Sequence, residues 1–90
     1  MFSHVMVGSN NIEASKKFYD AIFTAVGWGA GTVDPKGRVA YTDGTARFLI
    51  TKPINGQPAC AANGGTIGLN IKGPALVDAW HAAGVANGGK

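Results

Sequence analysis

Hydrophobic and polar positions over residues 2–28 follow two different periods. Over residues 2–8 they alternate, which predicts a strand with His4 and Met6 on one face and Val5 and Val7 on the other. From Ile12 the period lengthens. Ile12, Ser15, Phe18, Tyr19, Ile22, Phe23 and Val26 recur at helical spacing and predict a helix over residues 12–26 with one buried stripe. Asn11 stands at the N-cap, Glu13 lies in the first turn where the helix dipole favours an acid, and Gly27 stands where a C′ residue belongs. Glu13 and Lys17 are spaced for an i, i+4 pair on the outer face.

Beyond Trp28 the chain turns rich in glycine and proline. Residues 32–34 predict a short edge strand, with Pro35-Lys36-Gly37 as its turn. Residues 38–42 and 47–51 predict two strands joined at Asp43-Gly44, a strong hairpin signal. Pro53 stops the second. Residues 54–65 lack periodicity and predict a loop between two halves. Alternation returns over residues 66–72, with Ile67, Leu69 and Ile71 on one face of a further strand. Gly73-Pro74 opens a second helix over residues 74–83, with Leu76, Val77, Trp80 and Ala83 as its apolar stripe and Gly84 closing it. Both halves share the order strand, corner, aromatic-bearing helix and glycine, a repeat of pattern without sequence identity.

Ninety residues allow one small domain, and an apolar fraction of 46% suits a globular core of modest stability. The formal charge of +3 comes from scattered basic residues with no interleaved aromatics, which argues against a nucleic-acid partner. No stretch approaches the ~20 apolar residues of a membrane helix, and none resembles a signal peptide, so no membrane partner is expected. Cys60 is the only cysteine, so an intramolecular disulfide is excluded, and a cytoplasmic setting is expected.

The run His4-Val5-Met6-Val7, then Asn10-Asn11-Ile12-Glu13, then Phe18-Tyr19 resembles the opening of the vicinal oxygen chelate superfamily: glyoxalase I, the bleomycin and fosfomycin resistance proteins and the extradiol dioxygenases. The resemblance implies an α+β fold of two βαβββ modules curved around a shared cavity. Residues 1–53 would form the first module, 54–65 a linker, and 66–90 a partial second module of one strand and one helix. Three further strands would then be missing after Lys90, making the chain a C-terminally truncated domain. Such a chain is expected to form a homodimer.

The same resemblance places His4 where the family binds a divalent metal, and imidazole suits such ions. A complete homologue would hold Zn, Ni, Mn or Fe there. A structural, hydrogen-bonded histidine is the plainer alternative. The family's next ligand position falls on Leu49 or Ile50 and the following one on Ile67, none of which can bind a metal. Glu13, Asp34, Asp43 and Asp78 fall on an outer helix face, in a loop or in a turn. A catalytic metal commonly needs about three protein ligands, so no cofactor is certain for this chain. Met6, Trp28, Tyr41 and Arg47 complete the candidate ligand-binding set. Arg47 is suited to a carboxylate or phosphonate, although a solvated strand-end arginine is the plainer reading. His81 has no histidine partner on its helix, and Cys60 has no neighbouring base in sequence.

Three functions are therefore expected to compete. One is small-molecule binding in a sheet-lined cavity with a degenerate metal site. Another is a metal-dependent lyase or dioxygenase of the lactoylglutathione lyase type, acting through His4 with residues absent from this chain. The last is an interaction role on a small ferredoxin-like domain.

Overall fold

A computed structural model describes residues 2–89. The elements run β1 (His4–Gly8), α1 (Ile12–Ala25), β2 (Thr32–Val33), β3 (Val39–Thr42), β4 (Arg47–Thr51) and α2 (Pro74–Ala86). The strands form one sheet in the order β1-β4-β3-β2, in which β1 and β4 are parallel and the other pairs antiparallel. This is an α+β arrangement with a βαβββ module at its front. Both helices lie on one side: Ile22 and Phe23 of α1 form the core with Val39, Tyr41 and Ile50, and Trp80 and Ala83 of α2 pack against it.

The helix boundaries have local causes. The Asn11 side chain accepts from the Ala14 N–H at 3.1 Å, capping α1. At the other end Gly27 takes φ +85°, and the Trp28 N–H bonds back to the Phe23 carbonyl at 2.9 Å. That six-to-one closure turns Trp28 onto Phe23, with ring centroids 5.4 Å apart. The corner before α1 is held by buried Ser9, whose hydroxyl meets that of Ser15 at 2.6 Å.

Four expectations need correction. The alternating stretch 66–72 joins no ladder: among the described residues its backbone makes no hydrogen bond. Alternation predicts which side chains share a face, and Ile67, Leu69 and Ile71 do line one cleft together. It does not supply a neighbouring strand, and the sheet edge is not paired to this stretch. Second, Gly84 does not end α2. It is buried against α1, and the helix runs on to Ala86, closing at Gly88 with φ +100° and a Gly89 N–H bond to the Gly84 carbonyl. Third, Leu76 and Val77 of the expected α2 stripe are exposed, whereas Trp80 and Ala83 pack inward. Fourth, Glu13 and Lys17 form no ion pair. The pair on α1 is Lys16 with Asp20 at 2.7 Å, because Asp20 is already fixed from the sheet side.

Candidate functional site

Strand register decides which candidate residues meet. His4 is opposite Arg47, Met6 opposite Leu49, and Gly8 opposite Thr51. These residues share the face away from the helices, while Phe48 and Ile50 point into the core. On the next strand Thr42 and Ala40 pair with Arg47 and Leu49, so they join the same open face. That face therefore carries exposed Met6, half-buried Ala40 and buried Leu49 along its middle, with His4, Arg47 and Thr42 at one end.

His4 and Arg47 are both exposed. The Ser3 hydroxyl lies 2.8 Å from His4 Nδ1, which leaves Nε2 as the ring's other polar atom. Among the described residues Arg47 has no acidic group within ion-pair distance, unlike Arg38, which is held by Asp34 at 2.7 Å. An exposed guanidinium without a carboxylate partner can take a planar anion in a two-pronged hydrogen bond.

Tyr41 and Trp28 do not share the strand face of His4 and Met6, but with Phe2, Val5 and Phe48 they line a cleft of about 320 Å³ that Arg47 also borders. Tyr41 is 3% exposed on the helix side, where its hydroxyl donates to Asp20 Oδ1 at 2.7 Å and to the Lys16 carbonyl at 3.2 Å. Alternation explains the placement: residues 41 and 47 lie near each other across the hairpin, but Tyr41 pairs with Phe48 and so shares Phe48's face. Burial, and then the bond to Asp20, push the Tyr41 hydroxyl well above the ordinary tyrosine range. Trp28 stacks on Phe23 on the same inner side.

Asp20 is the residue that sequence reasoning missed. Its carboxylate accepts from the Gly31 N–H at 2.8 Å, the Tyr41 hydroxyl at 2.7 Å and Lys16 at 2.7 Å. Desolvation pushes its carboxyl up, but those three donors outweigh it and hold the group below the usual aspartate range. The available signal was Lys16 at i−4 of Asp20 on a helix whose buried stripe faces a strand tyrosine.

The divalent metal that the resemblance implies does not fit the side chains present. Among the described residues, no three His, Cys, Asp or Glu side chains come together. The acids are engaged or directed elsewhere. Asp20 serves the core network, Asp34 holds Arg38 and the Lys36 N–H, and Asp43 caps the hairpin turn through the Thr45 and Ala46 N–H groups. Glu13 and Asp78 are exposed on helices. Beside Met6 the position on the open face is Leu49, not Ile50, which is wholly buried on the opposite side. Ile67 lies in the helix-side cleft.

A comparison with solved structures finds the crystal structure of a glyoxalase/bleomycin resistance protein from Albidiferax ferrireducens T118. Identity is 52% and the TM-score 0.92, over 98% of this chain and 70% of that one. No protein-family model matches the chain. No curated protein matches it either. None of the helices among the described residues is long and apolar enough to cross a membrane.

Proposed function

The chain belongs to the glyoxalase/bleomycin resistance protein family, and on that footing we propose that it binds a small organic anion on the open sheet face without a resident divalent ion. One observation carries the proposal: His4 and Arg47 are register partners on that face, beside a floor of Met6 and Leu49 rather than carboxylates. Arg47 holds the ligand's carboxylate or phosphonate, His4 adds a second polar contact, and the apolar floor takes the rest. The same reading divides the chain into a first module over residues 1–53, a linker over 54–65 and a partial second module over 66–90. It includes a homodimer, which would cover exposed side chains such as Phe2 and Val33, and a cytoplasmic location.

The alternative is a metal-dependent lyase or dioxygenase acting through His4, with its remaining ligands outside this chain. It is favoured by the His4 ring, whose Nδ1 is engaged by Ser3 while Nε2 is not.

Phenylphosphonate is a suitable probe. It should bind saturably, and Arg47→Ala should weaken it by about tenfold, the worth of one hydrogen bond to a charged group. The chelator-treated protein should then be titrated with Ni²⁺, Zn²⁺ and Mn²⁺ beside His4→Ala. Tight, stoichiometric metal binding that the variant loses would replace the proposal with the enzyme reading.

A further inference from the structure

A second cleft lies on the opposite side of the sheet. It encloses about 420 Å³ between α1, α2, the sheet and residues 67–71, and Val7, Phe18, Ile22, Phe48, Leu69 and Trp80 are among its walls. No Lys, Arg, His, Asp or Glu lines it. We propose that this cleft is a binding site for an uncharged aromatic molecule carrying one carbonyl group, separate from the anion site on the open face.

Three features support the assignment. The volume falls within the range of small-molecule pockets and suits a two-ring compound. The walls are rich in aromatic rings: Tyr19 stacks on Phe23 at 5.8 Å and meets Phe18 edge-on at 5.1 Å, so a flat ligand can add to an existing aromatic cluster. The polar equipment consists of donors. Tyr19 lines the cleft, and its hydroxyl has no protein partner among the described residues, while Trp80 Nε1 is buried without one. Desolvation raises the Tyr19 hydroxyl above its ordinary range, so it stays a neutral donor. A neutral acceptor is matched to such a group, whereas a carboxylate would be stripped of water with no cation to receive it.

Entry is provided by the stretch over the cleft. Among the described residues, 66–72 makes no backbone hydrogen bond, so lifting Ile67 and Leu69 breaks apolar contacts only.

The test uses the full chain, labelled with ¹⁵N and titrated with 2-acetylnaphthalene while the Trp80 indole resonance is followed. Saturable one-to-one binding is expected. The charged analogue 2-naphthoate should bind at least about tenfold more weakly. Tyr19→Phe should weaken the ketone by about fivefold and leave plain naphthalene unchanged. Ile67→Trp, at a position 47% exposed on the cleft rim, should block the probe while the spectrum stays that of a folded chain. His4→Ala and Arg47→Ala should bind the ketone as the parent does. Absence of saturable binding, equal affinity for 2-naphthoate, or loss of the ketone in Arg47→Ala would overturn the proposal. So would an affinity that falls as protein concentration rises, because a second copy would then be filling the cleft.

Discussion

Tyr41→Phe separates a structural tyrosine from a ligand-binding one. The substitution removes a hydroxyl from a ring that is 3% exposed and leaves the ring's volume in place, so no cavity forms. What is lost is the bond to Asp20 at 2.7 Å and the weaker one to the Lys16 carbonyl at 3.2 Å. A hydrogen bond to a charged acceptor is worth about 1.5–3 kcal/mol. The Asp20 side chain is 27% exposed and keeps Lys16 and the Gly31 N–H, so water replaces part of the loss. The lower end follows, about 1–2 kcal/mol. With a urea slope of roughly 1–1.5 kcal/mol/M for a domain this small, the midpoint should fall by about 1 M. Asp20→Asn combined with Tyr41→Phe should show coupling of about 1 kcal/mol, since the two groups share one bond. Phenylphosphonate affinity should stay at the parent value, because Tyr41 faces the helices. An unchanged urea midpoint together with weaker phenylphosphonate binding would refute this reasoning and return Tyr41 to the ligand site.

Acidification should act through the same network. The Asp20 carboxyl is depressed in the folded state, so its contribution is present above the ordinary aspartate range and is lost as pH falls through its folded value. Urea midpoints measured at falling pH should drop below that range, less steeply in Asp20→Asn. Gly84→Ala should raise stability by about 0.5–1 kcal/mol. A Cβ there meets Ile22 at an ordinary 3.5 Å, and the helix loses its most flexible interior residue; thermal melting checks it. Gly31→Ala should destabilise by about 1–3 kcal/mol, because its Cβ would come within 2.4 Å of buried Val39 and 2.7 Å of buried Tyr41; the same melts check the sign. Asn10→Ala should speed hydrogen exchange at the Ala59 N–H, because the Asn10 amide grips both backbone groups of Ala59, at 2.6 and 3.3 Å.

Periodicity made most of this fold legible. The α1 stripe, the Asn11 cap, the Gly27 stop and the Asp43-Gly44 hairpin are all short-range signals, and each stands in the structure within a residue or two of its expected place. The failures are of another kind. Gly84 carries the local mark of a helix end, yet α2 passes through it because α1 offers an apolar surface to pack on. Asp20 carries no local mark at all. Its importance comes from Gly31 and Tyr41, which only the fold brings to it.

The candidate site was legible only as far as alternation within a single strand reaches. That rule put His4 and Met6 on one face correctly, because both lie on β1. It left Leu49 and Ile50 unresolved and set Tyr41 beside Arg47, because both questions concern neighbouring strands. Register answers them. A one-residue slip between β1 and β4 would exchange Leu49 for Ile50 and carry Arg47 into the helix layer. Such a slip would carry an unpaired guanidinium in among the helices and take Ile50 out of the core, where it is wholly buried. The requirement that Phe48 and Ile50 enter the core therefore sends Arg47 to the open face beside His4. The chemistry on one side of this sheet is held in place by the packing on the other.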